Sequence, residues 1–118
     1  MGIRRSITLY NASTAGNGSW VRLDARYEEI AQRSVQGTIV AGDTITFQGI
    51  TKDYKPSYST VGTADAGETA FLAALTTADI TNLQSYTANF SDIMNGNWTY
   101  IRVVKTGTTG TATVQGFI

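Results

Sequence analysis

Several short stretches of the chain alternate apolar and polar residues, which is the pattern of a β-strand with one buried face. Ile7 and Leu9 alternate with polar neighbours in residues 6–10, and residues 44–48 repeat the pattern. Gly and Asn fill many of the intervals, while β-branched residues are frequent within the stretches. The pattern predicts short antiparallel strands at residues 6–10, 20–23, 38–40, 44–48, 98–105 and 111–118.

Two reversals of the chain predict β-hairpins. Residues 41–43 (AGD) separate two alternating stretches, so residues 38–48 are expected to form one hairpin. Residues 106–110 (TGTTG) are expected to close a second hairpin, in which residues 98–105 pair with residues 111–118.

Three segments have no single clear period. Residues 24–35 fit a helix at some positions, but their flanks favour extended structure. Residues 51–60 predict an exposed loop that leads into a short strand near residues 58–62. In residues 68–94 the apolar positions fit either a buried strand around Phe71 or helical spacing. The helical positions are Ile80, Leu83, Thr87, Phe90 and either Ile93 or Met94. We expect one short helix at most, between residues 77 and 94.

The composition excludes most familiar catalytic and metal-binding designs. The 118 residues include no cysteine and no histidine, which rules out disulfides, zinc-thiolate sites, Cys nucleophiles and His-containing triads. The glycine-rich stretches lack the Lys-Ser/Thr ending of a phosphate-binding loop. We therefore expect a protein with no enzymatic activity, no cofactor and no metal ion.

The charge balance points to assembly rather than to nucleic acid. Lys plus Arg is 9 and Asp plus Glu is 9, so the formal net charge is zero. A chain with so little charge is not a general polyanion binder, and it resists self-association only weakly. The sequence has no run of about 18 apolar residues, so we expect synthesis in the cytoplasm and no membrane span.

One enzymatic alternative remains open at Glu28 and Glu29. Paired carboxylates are the machinery of glycoside hydrolases, and residue type alone does not exclude such a pair here. Most of the acidic residues, however, lie beside Gly or Thr in predicted turns, where short acids bond to nearby backbone donors. We disfavour a hydrolase because no motif places an acid and a base together.

Tryptophans and arginines occur close together at two places. Arg22 and Arg102 follow Trp20 and the Trp98–Tyr100 pair by two residues, and Tyr100 shares a strand face with Arg102. An arginine stacked on an aromatic ring or otherwise paired is expected there. The rings themselves are compatible with a sugar-binding platform, but large rings usually belong to the core of a small domain, so we favour core for at least one tryptophan.

The carboxyl-terminal quarter resembles a known group of proteins. Residues 96–107 (GNWTYIRVVKTG) and 110–116 (GTATVQG) are similar to the terminal strand pair of small virion structural proteins of tailed bacteriophages. Residues 18–21 (GSWV) and 37–46 (GTIVAGDTIT) look like earlier strands of the same group. The resemblance implies β-sandwich subunits that decorate or cement capsids, or that build parts of the tail, without enzymatic activity.

Pattern and resemblance together predict one mainly β domain, residues 1–118, a small antiparallel, jelly-roll-like β-sandwich with residues 1–5 as an amino-terminal arm. We expect a capsid decoration or cement subunit on the virion surface, whose partners are the major capsid protein and itself, as a homodimer or homotrimer. The alternative is a tail or baseplate module that binds host polysaccharide through Trp20, Trp98 or Tyr54. Exposed loops and arms supply the contact candidates, which are Arg4, Arg5, Arg22, Tyr54, Tyr58, Arg102, Phe117 and Ile118.

Overall fold

The computed structural model describes residues 6–23, 32–54 and 66–117. These residues form nine strands and one helix in their chain order. The strands are β1 (Ser6–Ala12), β2 (Gly16–Asn17), β3 (Val21–Arg22), β4 (Gln32–Thr38), β5 (Thr44–Ile50), β6 (Thr81–Tyr86), β7 (Phe90–Asn95), β8 (Tyr100–Thr106) and β9 (Ala112–Phe117), and the helix α1 (Ala66–Ala73) lies between β5 and β6.

The strands form two antiparallel sheets. Sheet I has the order β1-β9-β4-β7, and sheet II has the order β2-β8-β5-β6, with β3 also paired to β8. Most consecutive strands lie in different sheets, and the exceptions are the pairs β2–β3 and β5–β6. Because β2 and β3 both pair with β8, they occupy one edge position, and the two sheets then have the strand order of a jelly roll, so the predicted β-sandwich is confirmed.

Both predicted hairpins are wrong. β4 and β5 lie in different sheets, and so do β8 and β9, so each reversal is an arch from one sheet to the other. The alternation of apolar and polar residues looks the same for a hairpin and an arch, because it reports which face is buried and not which strand is the neighbour. The partners of β9 are β1 and β4, both distant in sequence.

The core lies between the two sheets. Its buried apolar side chains are Leu9, Leu23, Val35, Ile39, Ile45, Phe47, Met94, Ile101, Val103, Ala112 and Val114. In β8, Ile101 and Val103 point into this core while Arg102 and Val104 are half-buried, which confirms the two predicted faces of the strand. Trp98 packs against the rim of the core.

A buried ion pair ties the two arches together. Asp43 of the β4–β5 arch accepts hydrogen bonds from the backbone nitrogens of Thr109 and Gly110 in the β8–β9 arch. Lys105 Nζ lies 3.1 Å from Asp43 Oδ2, and neither side chain is exposed to solvent. The ammonium also donates to the carbonyl oxygens of Ser13 and Gly107, which satisfies its three N–H groups.

The helix is not where the spacing predicted it. Residues 77–94 contain β6 and β7, whereas the helix is α1, Ala66–Ala73. The register of β6 against β5 slips between Thr46 and Gln48, so β6 carries one extra residue, a β-bulge. The bulge places Leu83 and Tyr86 on the core side three residues apart, which imitates helical spacing.

The remaining strand predictions fall partly outside the described residues. The strand predicted at residues 6–10 is confirmed and extends to Ala12, and the extended structure favoured for residues 24–35 is confirmed where β4 begins. The loop predicted before Trp20 contains the short strand β2. The arm at residues 1–5, the segment 24–31 and the strand near residues 58–62 lie outside the described residues.

Candidate interaction surface

The outer face of sheet II gathers three of the predicted contact residues. Arg22 in β3 is paired with Tyr100 in β8, and Arg102 lies two residues further along the same strand. Tyr54 follows β5 and approaches Arg22 across the sheet surface. Arg22 Nη1 donates to the Tyr54 carbonyl oxygen at 2.7 Å.

Arg22 is fully engaged within its own chain. Its guanidinium donates to the Tyr100 hydroxyl at 2.8 Å and lies 3.2 Å from the carboxylate of Asp53 and 3.4 Å from that of Glu68. The Tyr100 hydroxyl in turn donates to Glu68 at 2.6 Å. Burial, together with the hydrogen bond to Glu68, raises the pKa of Tyr100 to about 12, so this phenol stays neutral at physiological pH.

Aromatic rings fasten α1 over this end of sheet II. Phe71 of α1 lies between Tyr54 and Tyr100, with ring centroids 5.7 Å and 6.1 Å away. The helix has no fully buried residue, and these ring contacts, together with Glu68, attach it to the sheet. The cluster around Arg22 therefore ties α1 and the segment after β5 to sheet II.

Arg102 has different surroundings. Between β2 and β3, residues 18–20 lie opposite Arg102 and Val103 of β8. The chain therefore has three residues there where β8 has two, as in a β-bulge. This irregularity places the Trp20 ring against the Arg102 guanidinium, whose carbon lies 4.5 Å from the ring centroid. An arginine stacked on an aromatic ring is thereby confirmed, but with exchanged partners, since Arg102 lies over Trp20 and Arg22 lies over Tyr100.

An amide row fixes the other side of Arg102. Its Nε donates to Gln48 Oε1 at 2.8 Å, and Gln48 Nε2 donates to Asn82 Oδ1 at 2.8 Å. The stacked ring and the amide together hold the guanidinium in one orientation. Burial lowers the pKa of Arg102 from its usual value of 12.5, and the group remains a cation at neutral pH.

No acidic side chain in the described part of the chain forms an ion pair with Arg102. Arg22, Lys52 and Lys105 each have at least one acidic partner. Four of the five guanidinium N–H groups of Arg102 make no hydrogen bond to described residues, because only Nε is used by Gln48. Arg102 is therefore a rigidly held cation whose four remaining N–H groups are not used by the described residues.

The predicted contact residue Phe117 lies on the opposite side of the molecule. It belongs to β9, where it pairs with Ser6 on one side and Ser34 on the other, on the outer face of sheet I. Ile93 on the same face is 46% exposed. The contact candidates Arg4, Arg5, Tyr58 and Ile118 lie outside the described residues.

The outer face of sheet I carries no charged side chain among the described residues. Strand register and alternation assign twelve residues to it, namely Ser6, Thr8, Asn11, Ser34, Gln36, Thr38, Ser91, Ile93, Asn95, Thr113, Gln115 and Phe117. All are hydroxyl, amide or apolar side chains. The two outer faces of the sandwich therefore differ sharply in charge.

Sequence reasoning singled out Arg102 but grouped it with Trp98 and Tyr100, whereas the ring beside it is that of Trp20, and it missed the other supporting residues. Gln48 and Asn82 come from other strands, and only the register of sheet II brings them into line with Arg102. The partners of Arg22 were likewise invisible, because Glu68 is located by a helix that the periodicity placed elsewhere. The signal that the sequence did offer for Arg102 was an arginine in the middle of a predicted strand, close to a tryptophan.

Metal binding and membrane insertion were also assessed. In residues 6–23, 32–54 and 66–117, no three acidic side chains come together in a way that could hold a metal ion. None of the helices in that part of the chain has the length and apolar character needed to cross a bilayer.

Comparison with known proteins adds no relative. No protein-family model matches the chain. No curated protein and no solved structure matches it either.

Proposed function

We propose that this protein is a structural subunit of a bacteriophage virion, a capsid decoration or cement protein that bridges major capsid subunits. The observation that carries the proposal is Arg102, a cation held rigid by Trp20 and Gln48 and without an acidic partner in the described chain. A planar guanidinium fixed in this way binds a carboxylate through two parallel hydrogen bonds. The natural donor of that carboxylate is another protein subunit.

The composition of this surface supports a protein partner. Tryptophan, tyrosine and arginine are the residue types that contribute most to binding energy at protein interfaces. Trp20 and Arg102 lie together on sheet II, and both are half-buried before any partner arrives, so little side-chain entropy is lost on binding. Jelly rolls are common in viral capsids, although this fold serves other roles too.

A reconstitution experiment tests the cement role. Purified protein is mixed with capsid shells that lack it, and the shells are imaged by electron microscopy. We expect ordered extra density that bridges neighbouring capsid subunits and shows the symmetry of attachment. Bare shells would contradict the cement role and favour the tail or baseplate alternative.

A pair of variants tests Arg102 within the same assay. Arg102→Ala should fold normally and bind shells about 30-fold more weakly, the loss of a residue worth about 2 kcal/mol at an interface. Lys52→Ala is the matched control, because it also removes one positive charge, from a side chain that is 58% exposed and paired with Asp79. Equal binding of the two variants would show that Arg102 is not the anchor.

A further inference from the structure

Asparagine is followed by glycine at two places in the chain, Asn17 by Gly18 and Asn95 by Gly96. The side-chain amide of an asparagine can be attacked by the backbone nitrogen of the next residue, and glycine hinders that attack least because it has no side chain. The other asparagines precede Ala, Leu, Phe or Trp, whose side chains crowd the nitrogen. The backbone around the two glycines therefore decides which asparagine reacts.

The first pair is held within sheet II. Asn17 belongs to β2 and pairs with Val104 of β8. The Gly18 nitrogen donates to the Val103 carbonyl oxygen at 2.6 Å, so its proton is engaged and the nitrogen is directed at β8. A side chain at Gly18 would begin 2.9 Å from that oxygen, which shows how closely the two backbones lie. The Gly18 nitrogen is therefore kept away from the Asn17 amide.

The second pair lies at the end of a strand on the edge of sheet I. Asn95 is the last residue of β7. Its carbonyl oxygen accepts a hydrogen bond from Trp98, and the carbonyl oxygen of Ile93, two residues earlier, accepts one from Gln84 of β6. Because backbone directions repeat at every second residue of an antiparallel strand, both oxygens point to the free edge of β7. The carbonyl oxygen of Asn95 is therefore not held by a ladder bond to β4.

The peptide that joins Asn95 to Gly96 is held at its oxygen and not at its nitrogen. Trp98 Nε1 donates to the Asn95 carbonyl oxygen at 3.0 Å, whereas the Gly96 nitrogen makes no hydrogen bond to described residues. Asn95 is exposed, and Gly96 has a φ of 115°, so the chain leaves the strand at this point. The attacking nitrogen, the side-chain amide and water can meet here, in contrast to Asn17.

We propose that Asn95 is a site of spontaneous deamidation, at which the asparagine becomes aspartate or isoaspartate. The Gly96 nitrogen loses its proton and bonds to Asn95 Cγ, the Cγ–Nδ2 bond breaks, and the amide nitrogen leaves as ammonia with that proton. Water then opens the cyclic imide and returns a proton to the Gly96 nitrogen. Opening at Cγ gives aspartate, and opening at the backbone carbonyl carbon gives isoaspartate. The net reaction exchanges ammonia for water and uses no other reactant.

Either product places a carboxylate on an uncharged surface. Asn95 is one of the twelve residues assigned to the outer face of sheet I, none of which is charged. The chain has 9 basic and 9 acidic residues, so one further acidic group changes the formal net charge from zero to −1. The proposal does not rest on the cement role, because the reaction involves only this chain and water.

Storage of the purified full chain tests the proposal. The protein is kept in neutral buffer at physiological temperature, and samples are analysed by isoelectric focusing and by peptide mass spectrometry that separates asparagine, aspartate and isoaspartate. We expect Asn95 to convert about tenfold faster than Asn17 or more, since one hydrogen bond retained on the Gly18 nitrogen raises the barrier there by about 1.4 kcal/mol. The rate should rise with pH, because the Gly96 nitrogen must lose a proton.

Matched variants assign the charge change to one residue. Asn95→Ser removes the amide and should remain a single band on focusing. Asn95→Gln keeps an amide, but its longer side chain would have to close a larger ring, so it should also remain a single band. Asn17→Ser is the control and should divide into two bands as the wild type does.

Any of three results would overturn the proposal: no charge change on storage, conversion of Asn17 as fast as that of Asn95, or a second band that persists in both Asn95 variants. Shell binding is a separate measurement. Shells left bare by fresh protein would remove the cement role and leave the deamidation result unchanged.

Discussion

Two basic side chains on β8 differ in how far they are buried and in how their charge is compensated. Arg102 is a half-buried cation oriented outward, whereas Lys105 is a fully buried cation oriented inward and neutralised by Asp43. Both lie on β8, on opposite faces of one strand. The sequence showed the alternation but not which basic residue would be enclosed, because burial depends on strands that are distant in the chain.

Removing one partner of the buried pair should be costly. Lys105→Met leaves the Asp43 carboxylate enclosed without its cation, so we expect a loss of about 3 to 5 kcal/mol in the free energy of unfolding. Urea denaturation followed by fluorescence measures it. Lys52→Met is the control, since the exposed pair of Lys52 with Asp79 should change stability by at most about 1 kcal/mol. Equal losses for the two variants would show that burial does not distinguish the pairs.

The same carboxylate should make stability depend on acid pH. Hydrogen bonds from the backbone of Thr109, followed by those from Gly110 and Lys105, lower the pKa of Asp43 from 3.8 to about 2. Because the folded pKa is the lower one, the stabilisation is complete above pH 3.8 and is lost as the pH falls through 2.

We expect urea midpoints that decline across this acid range. The carboxylates of Asp79 and Asp92 also have lowered pKa values, so the wild-type decline contains their contributions. Asp43→Asn isolates the contribution of one residue, since its decline should be shallower than that of the wild type. Parallel profiles would assign the acid sensitivity to the other carboxylates.

At the scale of elements, the strands were predictable and their pairing was not. Residues 6–10, 44–48 and the stretch after Trp98 form strands as the alternation indicated. The helix was misplaced because the bulge in β6 and the arch after it produce spacings of three and four without any helix. The spacing of apolar residues shows which positions are buried. Bulges and arches change that spacing, and the residue types in the sequence do not reveal where they occur.

The attachment of α1 should depend on one aromatic side chain. Phe71→Ala removes the ring that links Tyr54 and Tyr100, so the amides of α1 should exchange with deuterium faster while those of β5 and β8 stay protected. Hydrogen–deuterium exchange with mass spectrometry measures this. Thr77→Ala, an exposed position beyond the helix, serves as the control. Uniformly faster exchange in Phe71→Ala would mean that the ring stabilises the whole sandwich.

The whole molecule has two unlike outer faces. Sheet II presents a fixed cation beside an indole ring, and sheet I presents hydroxyl and amide groups without charge. The zero net charge of the chain conceals this asymmetry, because composition does not record which face each residue occupies. Only the strand register, which assigns each residue to a face, shows this difference in charge.

Salt concentration tests the contact through Arg102. Shell binding through Arg102 should weaken as NaCl is raised, because added ions screen a contact between opposite charges. Titrations at low and high salt measure this. Arg102→Ala should lose most of the salt dependence of shell binding. An unchanged salt dependence in Arg102→Ala would mean that other charged groups carry the contact.

The position of β9 sets the order in which the molecule can mature. β9 lies between β1 and β4 in sheet I, although it follows every other described strand in the chain. During translation, β1 and β4 are made first and wait with unpaired edges until β9 emerges from the ribosome. Ala112 and Val114, two side chains of the core, arrive with that strand. A chain whose synthesis stops before β9 can therefore complete neither sheet I nor the core.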